Sequence, residues 1–385
     1  MKKKEGTDMG ETKQVILPMD IPFYTQQMTE ENWEAEGFPS FAEADHWTFR
    51  SCGIASLRMV LDGFGKQAER HCPMIQKGLA AGAYKDGVGW IHWGLAHMAE
   101  AYGIYAEAKR GKTAEDVKAE LDRGYPCILS VAPFFQGGKP NPYGGGIYGK
   151  GGHLIPCFGY EVQGEKLTAF LVHHPSAFAE KNKAFWWVPM KDFLASFGGN
   201  YIRFRPMGRL RQATAADAAE LSRIHAASWK TAFRGMVSDD YLDGLSEEHW
   251  QSFFEQELTK GSLSAMLIAE KEQIVGAVTY GTARRTLPLG GQPGTSFGDY
   301  SRYGEIVSLY CLPEYYGRGY GRELLAAARE SLLQTCEGVT LWVLRENRQA
   351  RQFYEKLGFL PTEETCLCEI DGETLTDIRY VYRKK

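Results

Sequence analysis

The chain has 385 residues, too many for one ordinary hydrophobic core, so two domains are expected. Its composition, 44% hydrophobic and 24% charged, is that of a folded globular protein. A formal net charge of −4 gives no footing for nucleic acid or an anionic membrane as the main partner. The apolar run at 15–17 is too short for a signal peptide, and no stretch approaches the ~20 apolar residues of a membrane span. Residues 1–18 read as a flexible tail. The eight cysteines lack the spacing of a disulfide or zinc framework. Cys127, Cys157 and Cys311 sit in apolar, strand-like runs and read as buried thiols of a reduced compartment, which points to the cytoplasm. Cys366 and Cys368 have no second pair, so no metal site is expected there.

The first half reads as helices and then strands, an α+β pattern. Its first helix opens at TFRSCGIASLRMVL, with Ile54, Leu57 and Leu61 on one face and Ser51 as a candidate cap. Cys52 stands in its first turn, where the helix dipole favours a thiolate. A second helix carries Ile91, Leu95, Met98 and Tyr102 on one face, and a short third runs through Val117 and Leu121. The strands are CILSVAPFF, HLIPCFGYE, LTAFLVHHP and AFWWVPM. His153 stands at the mouth of one of them after the glycine-rich run 144–152, which would leave its imidazole exposed. His71-Cys72-Pro73 reads as a turn.

In order, these features resemble the papain-like cysteine peptidases of the bacteriocin-processing, double-glycine-leader type. The matching segments are IPFYTQ, CGIASLRMVL, AEAYGI, RGYPCILSV, GGHLIPCFGYE and LVHHPSA, over 19–206. The resemblance implies Cys52 as nucleophile, His153 as its base and Gln26, or the adjacent Gln27, as a donor to the oxyanion beside the Cys52 N–H. Two departures stand out. The segment 28–49 is an acidic, aromatic insertion, read as a lid or a block on the cleft. The third position holds His174, before Pro175, where the family has Asp or Asn. A neutral histidine can accept a hydrogen bond from His153 but cannot stabilise an imidazolium by charge.

Around 205 the sequence changes its pattern, and the second domain is taken as 207–385, a mixed α/β fold. Its clearest feature is EIVSLYCLPEYYGRGYGRELLAAA: a β-branched strand, then Gly317, Gly319 and Gly321 alternating with Arg318 and Tyr320, then a helix. Glycines at such a junction let backbone N–H groups converge on a pyrophosphate at a helix N-terminus. The Lys-Ser/Thr of a Walker loop is missing, since Arg322-Glu323 follow, and the dinucleotide fingerprint spaces its glycines differently. Coenzyme A is the remaining phosphate ligand.

From about 210 onward the chain resembles the GNAT-superfamily N-acetyltransferases, whose strand, Arg/Gln-x-x-Gly-x-Gly/Ala and helix match 316–321. Tyr316 departs from the usual Arg or Gln. LWVLRENRQARQFYEKLGF resembles the family's following segment, which implies a cofactor contact at Asn347 and Tyr354 as the acid that protonates the leaving thiolate. The resemblance further implies acetyl-CoA as co-substrate, held by 316–322 and by the backbone of Leu309 to Cys311. Glu305 is the candidate base for the amine, against the plainer reading of a solvated strand-end carboxylate.

The expected protein is bifunctional, an acetyl-CoA-dependent N-acetyltransferase fused to a cysteine peptidase-like domain. Its partners are a peptide for the first domain and an amine or peptide N-terminus for the second, with no nucleic acid, membrane or metal. The alternative is an acetyltransferase whose first domain binds peptide without cutting it.

Overall fold

The computed structural model describes residues 11–142, 146–283 and 291–384. Residues 1–10 of the expected tail, and Gly144 and Gly145 of the glycine-rich run, lie outside the described residues. The chain divides into two compact units, Met1–Met207 and Gly208–Lys385.

The first unit runs β1 (Thr12–Ile16), α1 (Phe41–Thr48), α2 (Cys52–Gly63), α3 (His71–Ala80), β2 (Tyr84–Lys85), β3 (Gly89–Trp90), α4 (His92–Glu100), β4 (Ile104–Lys109), α5 (Ala114–Asp122), β5 (Cys127–Val131), β6 (His153–Gln163), β7 (Lys166–His174), β8 (Lys183–Pro189), α6 (Met190–Ser196) and β9 (Phe197–Pro206). Its main sheet has the order β4-β9-β5-β6-β7-β8, with β1 added on β6. The long β6 pairs with β5 only over His153–Cys157 and with β1 over Gly159–Ile16 to Gln163–Thr12. The end of β6 beyond β5 needs backbone partners, and part of the expected tail supplies them. The tail is therefore not loose from Thr12 onward, and Leu17 is buried behind it.

Helix α2 is buried from Gly53 to Leu61 without a polar face. It is buried on every side because it lies between two cores, and its two polar residues in that span, Ser56 and Arg58, are hydrogen-bonded. Ala55 and Met59 join the sheet's core, while Ile54, Leu57, Val60 and Leu61 join the core of the other helices. The segment 28–49 belongs to that second core through buried Met28, Phe38, Ala44 and Trp47. Its Glu36 accepts hydrogen bonds from Arg58 of α2 at 2.8 Å and from the His71 backbone at 3.0 Å. The insertion is thus a wall of the domain, not a lid. His71 opens helix α3, where a turn was expected.

The second unit runs β10 (Arg209–Gln212), α7 (Ala218–Ala232), α8 (Asp239–Gly244), α9 (Gln251–Lys260), β11 (Ser264–Glu270), β12 (Gln273–Thr282), β13 (Gln292–Pro293), β14 (Tyr303–Cys311), α10 (Tyr320–Leu333), β15 (Gly338–Leu344), α11 (Arg348–Lys356), β16 (Leu360–Ile370) and β17 (Glu373–Arg383). The sheet order is β10-β11-β12-β14-β15-β17-β16-β13. Of these pairs only β14–β15 is parallel. Helix α10 packs its Leu324, Leu325, Ala328 and Leu332 on the sheet with Ile306 and Leu341, and α7 joins a separate core through Ala218, Leu221 and Ile224.

Candidate active sites

In the first unit, Cys52 is the first residue of α2 and is partly exposed. Ser51 does not cap the helix with its side chain; its hydroxyl donates to the Gln26 carbonyl at 3.3 Å. The Gln26 amide donates to the Thr48 carbonyl at 2.8 Å, so Gln26 is tied at both ends to the residues leading into Cys52. Its Oε1 is buried without a partner among the described residues. Gln27 is held elsewhere: its carbonyl accepts from Asn32 at 3.0 Å.

Strand β6 brings His153 to the same place. The Ser56 hydroxyl of α2 donates to the Leu154 carbonyl at 2.9 Å, and the Leu154 backbone acts on the Cys52 thiol. Gly151 and Gly152, with φ of +83° and +97°, make the turn that feeds His153 into the strand. The ring is not exposed as expected; it is buried, and its Nε2 has no hydrogen-bond partner among the described residues.

Burial sets the electrostatics. It pushes the Cys52 thiol above its ordinary 9.0, and the backbone amides of Leu154, Gly53 and Cys52 offset this only in part. The expected depression by the helix terminus is overridden. Burial, with His174 beside it, pulls His153 well below 6.5, opposed by the Pro175 backbone, which has only a carbonyl to offer. The resting pair is a neutral thiol and a neutral imidazole.

His174 lies beside His153 but is hydrogen-bonded elsewhere. The two rings are 4.7 Å apart between centroids, tilted by 47°. The His174 Nε2 accepts the Phe134 N–H at 3.2 Å. A neutral imidazole has one acceptor nitrogen, so that bond leaves Nδ1 carrying the proton and nothing to accept from His153. Burial holds His174 down to about 4. On the His153 side, the Pro175 backbone is the polar group that favours its charged form. Trp90 is a supporting residue that sequence reasoning missed. Its Nε1 donates to the Arg50 carbonyl at 2.7 Å, and its ring leaves room for nothing larger than Gly53 after the cysteine.

In the second unit the site begins with a wedge. Among the described residues, β14 pairs with β15 only from Tyr303–Gly338 to Ile306–Leu341. Beyond this, β14 stays with β12 and β15 with β17, so the two parallel strands part. Leu309 to Cys311 form one lip and Trp342 to Leu344 the other. Cys311, expected to be buried, is half-exposed on the first lip.

The glycine loop follows that lip. Gly317 has φ +70° and Gly319, the N-cap of α10, has φ +98°, a left-handed backbone in which a side chain would be strained. The Gly319 carbonyl accepts the Arg322 N–H at 3.0 Å and so starts α10 directly on the glycine loop. A helix N-terminus entered through glycines is a setting that fits a diphosphate. The side chains mostly hold the loop in place. The Tyr320 hydroxyl donates to Glu270 at 2.7 Å, and Arg318 reaches Glu270 at 3.3 Å and the Glu314 carbonyl at 2.9 Å. Tyr320 and Arg318 are thus anchors, and Glu270 of β11 is a residue that no sequence signal marked. Tyr316 and Arg322 are exposed.

Asn347 caps α11, its Oδ1 accepting the Ala350 N–H at 3.0 Å. Tyr354 is buried within that helix. Burial, then the Cys311 thiol nearby, raises its phenol well above 10.0, so it stays protonated at neutral pH. Glu305 is set apart from these residues. It is 2% exposed, paired between Gly281 and Thr340 in the closed part of the sheet, about 13 Å along the strand from Leu309. It is neither a solvated strand end nor a member of the wedge. No helix among the described residues is long and apolar enough to cross a membrane.

Comparison with known proteins agrees with both halves. Residues 19–206 match the Peptidase_C39 like family and residues 228–359 match the Acetyltransferase (GNAT) family. An uncharacterized N-acetyltransferase of Bacillus subtilis is 29% identical over 144 residues, which is 37% of this chain and 74% of the relative. A Mycobacterium tuberculosis protein described as a probable N-acetyltransferase is 26% identical over 170 residues, covering 44% of this chain and 83% of its own. Among solved structures, PaiA N-acetyltransferase from Thermoplasma acidophilum in complex with coenzyme A aligns at 18% identity over 46% of this chain and 99% of its own, with a TM-score of 0.35. The chain joins a Peptidase_C39-like domain to a domain of the GNAT acetyltransferase family.

Proposed function

We propose that the second domain transfers acetyl from acetyl-CoA to an amine or a peptide N-terminus, and that the first is a cysteine peptidase acting on a peptide. The observation that carries the acetyltransferase reading is the wedge between β14 and β15, opening onto the glycine loop, with Tyr354 of α11 buried near Cys311. Acetyl-CoA would lie with its diphosphate on the amides of 317–321 and its thioester against the strand of Leu309 to Cys311. As the amine nitrogen bonds to the acetyl carbon and the carbon–sulfur bond breaks, Tyr354 gives its proton to the sulfur. The depth of Glu305 means that, as base, it would work through intervening water.

In the first domain, His153 takes the thiol proton as Cys52 Sγ attacks the scissile carbonyl. The Cys52 N–H and the Gln26 amide are the candidate donors to the oxyanion. His153 then protonates the leaving amine, and water hydrolyses the acyl-cysteine. With the thiol raised and the imidazole lowered, the thiolate–imidazolium form is the minor one, and forming it is part of the barrier to attack. That balance, with His174 unable to accept from His153, favours a second reading in which the domain holds a peptide without cutting it.

The readings separate by mass spectrometry of synthetic peptides incubated with the protein. Cleavage products present with wild type and absent with Cys52→Ala support the peptidase; products common to both, or absent from both, leave only peptide binding. Failure to acetylate any amine pool while coenzyme A binds would contradict the acetyltransferase reading.

A further inference from the structure

Next to the His153–His174 pair, a line of aromatic rings runs outward. Phe134 lies 5.4 Å from His174, Phe178 lies 6.4 Å from Phe134, and Phe49 lies 5.6 Å edge-on from Phe178. Phe49 belongs to the short segment that leads into Cys52, and Phe178 to the one that follows His174, so the rings join the nucleophile's wall to the imidazole's wall. Phe49 is 62% exposed, and Phe134 and Phe178 are half-exposed. Rings left this exposed give up much of the stabilisation that full burial would provide.

The backbone behind them is strained. Phe134 and Phe135 have φ of +57° and +54°, successive left-handed conformations that bulky residues rarely adopt. Their ring environments divide: Phe135 turns inward onto Trp186 at 5.3 Å, while Phe134 stays at the surface with its N–H fixed on His174. The strain thus holds an outward ring beside His174, next to His153. The Lys181 ammonium, 5.9 Å from the Phe134 ring, adds a positive charge at the edge.

Resting on the proposal that the first domain takes a peptide, we propose that Phe49, Phe134 and Phe178 form its specificity shelf. The shelf receives an aromatic or large aliphatic side chain one or two residues from the carbonyl that faces Cys52. Phe49 stands three residues before Cys52 and Phe134 lies 5.4 Å from His174. An extended peptide advances about 3.4 Å per residue, so the rings face the residues next to the scissile carbonyl. Aromatic stacking rewards such a side chain, and the Lys181 charge disfavours Lys or Arg there.

The test uses the full chain carrying Cys52→Ala, immobilised and exposed to a synthetic random decapeptide library. Captured peptides should be enriched in Phe, Tyr, Trp or Leu at one position. Single peptides with Phe in that position should bind about tenfold tighter than their Gly counterparts. Adding Phe178→Ala or Phe49→Ala should remove most of that preference. In the cleaving protein the same changes should raise KM for the Phe peptide rather than lower kcat. Absence of enrichment, or a preference that both variants retain, overturns the shelf. So does a dimer in light scattering that Phe49→Ala dissolves, since the face would then belong to a second copy. Cleavage without aromatic preference defeats the shelf and spares the peptidase; aromatic preference without cleavage does the reverse.

Discussion

The two candidate sites are built from different materials. In the acetyltransferase domain the cradle is backbone: two left-handed glycines, the first turn of α10 and a pair of parallel strands that part after Ile306. In the peptidase-like domain the site is side chains, each with its proton affinity set by burial. A backbone cradle tolerates a departure such as Tyr316, because the amides remain whatever side chain stands there. A side-chain triad does not tolerate His174 in the same way, because orientation and charge stabilisation reside in one residue.

The largest effects should separate the domains cleanly. Cys52→Ala should abolish cleavage, a loss of about a thousandfold or more, and leave acetylation intact. Tyr354→Phe should lower kcat for acetylation by about 10²- to 10³-fold and leave cleavage intact. Each is read by the rate of its own product, and a loss of both activities in either variant would break the comparison.

Stability against pH compares one buried imidazole from each domain. His174 and His225 are each held by burial to about 4 against 6.5 when unfolded. His225 donates from one ring nitrogen to the Leu221 carbonyl and accepts on the other from Ser308, both at 2.8 Å, which fixes it neutral. The unfolded chain binds these protons first as pH falls. Stability is therefore full above pH 6.5 and declines toward pH 4, by about 3 kcal/mol per imidazole at the lower end. Denaturant titrations at pH 7 and 4.5 should show this, and His174→Gln or His225→Gln should each flatten the fall in its own domain.

His174→Asp sharpens the contrast further. A carboxylate beside His153 can accept its proton and stabilise the imidazolium. Cleavage should rise about tenfold or more, with the acid limb of its pH profile moving upward. An unchanged rate would mean that the Pro175 backbone already supplies all the support the reaction uses. Gly319→Ala, at φ +98°, should weaken coenzyme A binding about tenfold by calorimetry. Tyr316→Arg should change it by less than about fivefold, since the amides carry the contact.

The same division explains what the sequence made legible. The glycine loop, the strand before it and the helices around Leu325 and Tyr354 follow from local pattern, and the fold of both domains follows from the order of such patterns. Partners set by tertiary packing were not legible. Nothing in the strand AMLIAE marks Glu270 as the anchor of Tyr320, and no spacing marks Trp90 as the reason for Gly53. The helix start at Cys52 suggested an acidic thiol, but burial among α2, β6 and their neighbours outweighs the dipole. Thr12–Ile16 looked like tail because a strand that completes another strand's unpaired edge need not be apolar itself.

The proposed function gives one chain two independent chemistries, on amide and thioester carbonyls. Intact-mass analysis of synthetic peptides incubated with acetyl-CoA tests it most directly, across wild type, Cys52→Ala and Tyr354→Phe. Wild type should give shortened and acetylated products, Cys52→Ala acetylation alone, and Tyr354→Phe shortening alone. Peptides that keep their length in all three would contradict it, whatever their acetylation.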